Sequence, residues 1–246
     1  MLIIQIPTLN NFYELKKKIY EISQHLNIIS FEFLIVDHSE ENYSVELNKL
    51  QKEKNYNKIN YFHLVKQSRK NERGLASRFG YEQAIKLHNK VDLIEIDSDS
   101  AHNSKDILRI YNQAKKNNCD IVIASKYLKN STVLKRKFSR RVISRIYNYI
   151  NKIIFRLKIT DTTNGYRYYS KQSLINYLKL DLKFITPIAH LLMLVINNNK
   201  KLKFLEIDSI YLESIESRSS INVKQLYYCL IDYIKLIYVF INKKIK

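Results

Sequence analysis

Hydrophobic residues in the first half of the chain occur in short runs separated by stretches in which apolar residues recur every three or four positions. The runs have the length of buried strands, and they cover residues 2–6, 31–36, 59–65, 91–96 and 120–124. The periodic stretches predict helices over residues 12–26, 43–53, 75–87 and 105–116. This alternation indicates an α/β fold, a Rossmann-like and mostly parallel sheet flanked by helices.

The second half has a different pattern. A basic segment at 126–145 leads into a long amphipathic helix that we expect from Ser139 to Leu157, and a polar turn follows at 160–167. One further strand is predicted at 202–211. We expect one domain at 1–221 and a separate amphipathic, membrane-associated helix at 222–246.

Two acids follow the fourth predicted strand directly, Asp97 and Asp99. Ligands bind beyond the carboxyl ends of the strands in open parallel sheets. Carboxylate oxygens suit hard cations, and Mg²⁺ usually takes one or two carboxylates together with substrate phosphates. The pair therefore predicts a metal site for a diphosphate. The same residues also fit a plain turn before a helix that Ser104 would cap.

The net charge of the chain restricts the classes of binding partner that we expect. Lys and Arg number 42 against 23 Asp and Glu, giving a net charge of +19, and such a field attracts polyanions. No helix-turn-helix, zinc-finger or RNA-recognition pattern accompanies this charge, so we expect no nucleic-acid partner. Cys119 and Cys229 are far apart, which indicates neither a disulfide framework nor a zinc site.

Two segments predict contact with a membrane surface. On the helix beginning near Ser139, a polar stripe lies opposite an apolar face. The stripe is Arg141, Arg145, Asn148, Lys152 and Arg156, and the face is Val142, Ile146, Tyr149, Ile150, Ile153 and Leu157. The competing interpretation is a solvated helix that packs on the domain by its apolar face.

In the tail, a narrow polar arc contains Lys224, Gln225, Asp232, Lys235 and Asn242, and nearly everything else is apolar. So broad an apolar face must be buried, and a second subunit in a homo-oligomer is the alternative to a membrane. The chain start lacks a charged n-region, and no run of 18 uncharged apolar residues occurs. We therefore expect a cytoplasmic protein, peripheral on the inner face of the cell membrane.

Four segments resemble, in chain order, the motifs of family 2 glycosyltransferases. IIQIPTLNN resembles the opening strand and nucleotide-binding turn of that family, and FLIVDHS resembles its second strand. RGLASRFGYEQA resembles its glycine-containing loop and helix, and DLIEIDSDSAHNSKDI its D-x-D strand and following helix. The segment 120–157 and the DTTNGYR turn at 161–167 resemble a narrower group, the dolichyl- or polyprenyl-phosphate sugar transferases.

The resemblance implies a GT-A fold, a nucleotide-diphosphate sugar donor, and Mg²⁺ or Mn²⁺ held by Asp99 with help from Asp97. Candidate catalytic residues are Asp97, Asp99, Lys126 and Arg167. The expected donor-binding residues are Pro7, Thr8, Leu9, Asn11, Asp37 and Ser98. The candidate residues on the acceptor-phosphate side are Arg136, Arg140, Arg141, Asp161, Gly165 and Arg218.

Several positions depart from the family pattern. His38 stands where the family usually has a second Asp, Asn11 where it often has Glu, and Lys126 where it often has Arg. The narrower group carries R-x-x-G-x-S-K after the last strand, whereas the corresponding segment here, 214–220, lacks the first Arg, the Gly and the Lys. Arg218 is the candidate replacement for the lost cation.

The acceptor is predicted from a missing acid. Transfer to a sugar hydroxyl needs a general base, and family 2 enzymes of that kind carry an E-D pair in the segment that corresponds to 180–190. This chain has no acidic pair there, although Asp181 or His190 remain candidate bases. We therefore expect an inverting glycosyltransferase that acts on polyprenyl phosphate in surface-glycan assembly. The alternatives are transfer to a hydroxyl of a growing glycan, and an inactive family member that serves as a basic membrane- or partner-binding module.

Overall fold

The computed structural model describes residues 1–26, 29–54, 58–64, 73–213 and 223–242. Its strands are β1 Leu2–Thr8, β2 Phe31–Asp37, β3 Ile59–His63, β4 Asp92–Glu95, β5 Ile121–Ser125, β6 Thr132–Leu134, β7 Arg167–Ser170, β8 Phe204–Asp208 and β9 Ile210–Leu212. Its helices are α1 Phe12–His25, α2 Ser44–Lys54, α3 Arg73–Leu87, α4 Asp106–Lys116, α5 Phe138–Ile154, α6 Lys171–Leu178, α7 Ile188–Asn199 and α8 Val223–Ile241.

Seven strands form one sheet in the order β3-β2-β1-β4-β7-β5-β8, and β6 pairs with β9 in a small second sheet. Within the large sheet only β7 is antiparallel to its neighbours β4 and β5. The predicted mostly parallel α/β architecture is confirmed. All five strands predicted in the first half are present, and each bound differs from the prediction by no more than two residues. Residue 65, the end of the third predicted strand, lies outside the described residues.

Alternate side chains of the strands enter two cores, one on each face of the sheet. Ile3, Leu93 and Ile121 enter the core that α3, α6, α7 and α8 cover. Ile4 and Ile94 enter the opposite core, which α1, α2 and α4 cover. Because helices cover both faces, the central strand β1 is buried along its whole length, which explains why its residues are apolar apart from Gln5 and Thr8.

The second half differs from the sequence prediction in several elements. The strand expected at 202–211 is two strands, β8 and β9, and the chain changes sheets at Ser209, whose hydroxyl donates to the carbonyl of Ser125 at 3.1 Å. Helix α5 ends at Ile154 rather than Leu157. Strands β6 and β7 and helices α6 and α7 were not predicted. Since β7 has only four residues, it gives little periodic signal.

Helix α8 belongs to the main core. Leu236 and Val239 are buried in the same cluster as α7, and the carboxylate of Asp232 accepts hydrogen bonds from the backbone N–H and the hydroxyl of Thr186, at 3.1 and 2.8 Å. The predicted boundary at 221/222 lies outside the described residues. Among the described helices, none combines the length and the apolarity that crossing a membrane requires.

A close backbone approach fixes the start of α3. A Cβ atom added to Gly74 would lie 2.3 Å from the carbonyl oxygen of Phe184 and 2.4 Å from that of Thr186, so no larger residue fits. The backbone N–H of Gly74 donates to the carbonyl of Ile185 at 2.8 Å. This contact places the neighbouring side chain, Arg73, at the carboxyl end of β4.

Candidate functional site: an acidic pair beside a basic cavity

The candidate site lies at the carboxyl edge of the sheet. Asp97 and Asp99 follow β4, which pairs with the central strand β1. Thr8 and Asp37, the last residues of β1 and β2, are register partners. The structure therefore brings together the ends of the first, second and fourth predicted strands, as expected for an open parallel sheet.

Asp97 already has a cationic partner. Nη2 of Arg73 lies 2.6 Å from Oδ1 of Asp97 and 2.8 Å from Oε1 of Glu95. Nε2 of His102 lies 3.8 Å from Oδ2 of Asp97. Burial alone would raise the pKa of Asp97, but the charges around it, Arg73 first and then His102, together outweigh burial and keep this pKa below its ordinary value.

The pKa of Asp99 is shifted in the opposite direction. Burial and then the charge of Asp97 raise the pKa of Asp99 to about 6, although the backbone N–H of Ala101 donates to its Oδ1 at 3.0 Å. A divalent cation would stabilise this pair of neighbouring carboxylates, since burial and then the charge of Asp97 disfavour ionisation of Asp99.

The residues present fit Mg²⁺ or Mn²⁺ only in combination with a ligand. Within the described ranges, no group of three or more His, Cys, Asp or Glu side chains is arranged to hold a metal ion. Asp97 and Asp99 supply two carboxylates, which is the share that proteins usually give to Mg²⁺ when substrate phosphates complete the coordination. The donor set therefore suits a metal that arrives with a nucleoside diphosphate.

A buried ionic network that the sequence did not reveal supports this pair. Glu95 has no solvent exposure, and besides Arg73 it contacts the hydroxyl of Ser77 at 2.9 Å and Nε2 of His190 at 2.9 Å. Burial opposes its ionisation, but Arg73 and then His190 hold the pKa of Glu95 at about 2. His190 is thus a satisfied core residue. The only sequence signal was an acid inside the apolar run that forms β4.

The expected donor-binding residues lie along the neighbouring strand ends. The buried carboxylate of Asp37 accepts from the backbone N–H of Ser39 and the hydroxyl of Tyr61, both at 2.8 Å. The hydroxyl of Thr8 is buried and has no hydrogen-bond partner among the described residues. Four expected donor-binding residues remain. The side chain of Leu9 is exposed and that of Ser98 is partly exposed, whereas Pro7 is buried. Asn11 caps α1.

The DTTNGYR turn folds around a buried carboxylate. Asp161 accepts from the backbone N–H groups of Lys126, Thr163 and Asn164 at 3.0 to 3.1 Å. Nζ of Lys126 lies 3.8 Å from the same carboxylate. A Cβ atom at Gly165 would be 4.0 Å from Oδ1 of Asp97, so the turn lies directly against the acidic pair.

Arg167 occupies a different kind of position from the one expected. Its side chain is fully buried, and its two terminal nitrogens donate to the carbonyls of His190 and Thr162, each at 3.0 Å. Arg167 is also the register partner of Glu95 across β4 and β7. These contacts give it a positioning role between the turn and α7 rather than access to a substrate.

A basic cavity of about 310 Å³ lies on the other side of the turn. Five cationic residues line it, namely Lys126, Lys129, Arg136, Arg141 and Arg145. The predicted Arg140 is not among its lining residues and instead pairs with Glu213 at 2.8 Å. Arg218 lies outside the described residues. Of the lining cations, Lys129 and Arg145 were not singled out as site residues from the sequence.

Tyr211 connects the cavity to the acidic pair. Nζ of Lys126 and Cζ of Arg136 lie 5.0 and 5.9 Å from the centre of the Tyr211 ring. The ring of His102, which contacts Asp97, lies 5.2 Å from the same ring. The Tyr211 ring therefore connects the acidic pair, through His102, with two of the cations that line the cavity.

The sequence profile of Glycosyl transferase family 2 matches residues 3–178, and the chain belongs to this family. The prediction of a family 2 glycosyltransferase is confirmed at this level.

Solved structures share the fold at low sequence identity. S. aureus TarS 1–349 in complex with UDP-GlcNAc is 15% identical, with a TM-score of 0.56 over 92% of this chain and 64% of that one. Another TarS 1–349 structure gives a TM-score of 0.53 at 14% identity over 87% of this chain, which spans 58% of that one. Glucosyl-3-phosphoglycerate synthase from Mycobacterium tuberculosis, in complex with Mn²⁺, UDP and glucosyl-3-phosphoglycerate, is 10% identical, with a TM-score of 0.60 over 94% of this chain and 78% of that one. These likenesses confirm the predicted GT-A fold.

Proposed function

We propose that the chain is an inverting glycosyltransferase that moves a sugar from a nucleotide-diphosphate sugar to polyprenyl phosphate. The observation that carries this proposal is the cavity lined by five cations. One of them, Lys126, contacts the Tyr211 ring, which also contacts His102 beside Asp97. A monoalkyl phosphate is anionic at neutral pH, so it needs cations for binding rather than a base for activation.

The donor would lie over the ends of β1, β2 and β4. Asp37 and the unpaired hydroxyl of Thr8 face this edge from adjacent register positions. Structures of two similar proteins were solved with UDP or UDP-GlcNAc, so a UDP-sugar is the first donor to test. Asp97 and Asp99 would hold Mg²⁺ or Mn²⁺, which when bound supplies positive charge that stabilises the leaving diphosphate.

The acceptor would enter from the cavity side. An oxygen of the lipid phosphate attacks the anomeric carbon, the bond from that carbon to the diphosphate oxygen breaks with its electron pair, and the nucleoside diphosphate leaves. No proton has to be removed from the acceptor. Lys126, Arg136 and Arg141 would bind and orient the acceptor phosphate, each by charge-assisted hydrogen bonds.

Among the described residues, neither candidate base is placed to act on an acceptor, which supports a phosphate acceptor over a hydroxyl. His190 is engaged by Glu95 at 2.9 Å and is buried, and Glu95 is itself held by Arg73. Asp181, the other candidate base, is exposed in the loop before α7. Neither is placed as a free base beside the acidic pair.

A panel of UDP- and GDP-sugars, with Mn²⁺ and polyprenyl phosphate, tests the function. We expect one labelled sugar to enter organic solvent as a lipid product that releases the sugar under mild acid. Label found only in water-soluble glycan would overturn the lipid acceptor in favour of a hydroxyl. No metal-dependent turnover of any donor would indicate an inactive family member.

A further inference from the structure

Helix α5 contacts the domain through buried polar side chains. The two residues it buries are Asn148 and Asn151, whose side chains bond to the 160–167 turn: the Asn148 carbonyl accepts from the N–H of Thr162 at 2.6 Å, and the Asn151 amide donates to its hydroxyl at 2.8 Å. Seven large apolar side chains are exposed instead, namely Phe138, Val142, Ile143, Ile146, Tyr149, Ile150 and Ile153. The alternative in which α5 packs on the domain by its apolar face is therefore wrong.

The exposed residues of α5 form one continuous face. At 100° per residue they span an arc of about 140° on the helix. The exposed cations Arg141, Arg145 and Lys152 lie together along one edge of that arc. An amphipathic helix with a wide apolar face and a flanking basic stripe is the type that lies in a membrane interface.

Helix α8 repeats this orientation. Its one acid, Asp232, points inward to Thr186, and the Lys235 ammonium lies 5.2 Å from the centre of the Phe184 ring. Seven apolar side chains are exposed along it, namely Leu226, Tyr227, Leu230, Ile231, Ile234, Tyr238 and Ile241. They too span about 140° of the helix. The predicted polar arc of the tail thus lies partly against the domain.

The two helices are neighbours. The hydroxyl of Tyr233 on α8 donates to the side-chain carbonyl of Asn151 on α5 at 2.8 Å. The Tyr233 ring also packs against the ring of Tyr147 on α5, with centres 5.7 Å apart, and the Phe240 ring lies 5.2 Å from that of Phe155. We call the exposed apolar residues of α5 and α8 together the two-helix face. Soluble monomers rarely expose so many contiguous apolar side chains without a partner.

We propose that the two-helix face docks on the surface of an anionic lipid bilayer, without crossing it. Charge complementarity selects this occupant. Between Asp120 and Asp161 the chain has eleven Lys and Arg residues and no Asp or Glu. A surface carrying this density of one charge attracts acidic headgroups while its apolar side chains enter the acyl boundary.

A second copy of the chain is a poorer occupant. Pairing the face with itself would bring two such basic segments together, and like charges across an interface weaken association.

Docking on a bilayer also has a consequence for the cavity, because Arg141 and Arg145 line it from α5. The cations would then lie near the headgroups, where a lipid-borne phosphate is found. Docking does not depend on turnover. The docking proposal can therefore be wrong while the proposed transfer is right, and the transfer can be wrong while the docking is right.

Vesicle flotation with the full chain tests the proposal. Vesicles of phosphatidylcholine alone are compared with vesicles that contain about one third phosphatidylglycerol. Deleting 222–246 is unsuitable because α8 contributes Leu236 and Val239 to the core. The test variant is instead the triple change Ile143→Ser, Ile146→Ser and Ile234→Ser, since these side chains are 67%, 54% and 58% exposed.

The matched control removes exposed apolar residues elsewhere. Tyr13 and Val45 are 77% and 73% exposed on α1 and α2, and Tyr13→Ser with Val45→Ser changes surface hydrophobicity away from the face. We expect the wild type and this control to float with the anionic vesicles only, and the triple variant to bind them at least tenfold more weakly with an unchanged melting temperature. Undiminished flotation of the triple variant would overturn the proposal. A second result would also overturn the proposal: the wild type forms a dimer that does not bind the vesicles, and the triple variant is a monomer. The two-helix face would then be occupied by a second copy of the chain.

Discussion

The Arg73 guanidinium lies 2.6 Å from the carboxylate of Asp97, the first acid of the pair that we expect to hold the metal. The same nitrogen lies 2.8 Å from Glu95, which is fully buried. The protein therefore carries a built-in cation at its acidic edge, held in place because Gly74 allows α3 to start against the Phe184 and Thr186 carbonyls. The packing at Gly74 thus positions Arg73, and Arg73 in turn neutralises the charges of Glu95 and Asp97.

Removing that cation should destabilise the protein. Arg73→Met leaves Glu95 buried without its main counter-charge, and breaking a buried pair from one side typically costs about 3–5 kcal/mol. Urea unfolding measures the loss. Adding Glu95→Gln to Arg73→Met should recover part of it, because the uncompensated charge is then gone. Equal stability of Arg73→Met and the wild type would show that the pair does not hold this edge together.

Asp99→Asn should abolish transfer and leave the fold intact. The change removes one of the two carboxylates, and with it the burial of a charge and the repulsion from Asp97 that together raise the pKa of Asp99 to about 6, so the melting temperature should not fall. Metal-dependent donor turnover and thermal melting are measured together. The control is Glu46→Gln, an exposed acid on α2. Normal turnover by Asp99→Asn would remove the acidic pair from the chemistry.

Metal binding should weaken as the pH falls through about 6. The folded protein holds a proton on Asp99 at a pH where the unfolded chain has lost it, so without metal this group's contribution to stability decreases as the pH rises from about 4 to about 6. Binding a cation requires the deprotonated form. Mn²⁺ with a UDP-sugar should therefore raise the melting temperature more at pH 7.5 than at pH 5. The Asp99→Asn variant should lose that pH dependence, and equal shifts at both pH values in the wild type would contradict the assignment.

The cavity cations should govern the acceptor rather than the donor. Arg136→Ala or Arg141→Ala removes one charge from the cavity lining, and hydrogen bonds to charged groups contribute about 1.5–3 kcal/mol. We expect the KM for polyprenyl phosphate to rise about tenfold or more, with little change in the KM for the donor. Arg140→Ala is the matched control, because Arg140 precedes Arg141 on α5 but pairs with Glu213. A similar rise in Arg140→Ala would mean that overall charge, not the cavity, binds the acceptor.

Much of the fold was predictable from the sequence because its first half repeats simple periods. Strands β1, β2 and β4 are buried on both faces, so they are almost unbroken apolar runs. Short elements such as β6 and β7 have three or four residues, too few for a period to show. Helix α5 shows a limit of periodicity: the sequence predicts an apolar face but not which side of the helix meets the domain, because two asparagines that bond to the turn at 160–167 set that side.

The site was predictable where a motif lies on a strand end and not where it depends on tertiary contacts. Asp97 and Asp99 follow β4, as the pattern predicted. Apart from the acid within the apolar run of β4, nothing local marks Arg73 or Glu95, whose pairing joins α3 to β4, 22 positions apart along the chain. The sequence offers Arg167 as a candidate catalytic residue, whereas its burial against two backbone carbonyls gives it a positioning role.

The most direct test of the proposed reaction is the identity of both products from one incubation with a UDP-sugar, Mn²⁺ and polyprenyl phosphate. Attack by the lipid phosphate on the anomeric carbon predicts UDP and a lipid carrying one phosphate and one sugar, in equal amounts. Release of UMP with a lipid diphosphate, or of UDP with no labelled lipid, would contradict it.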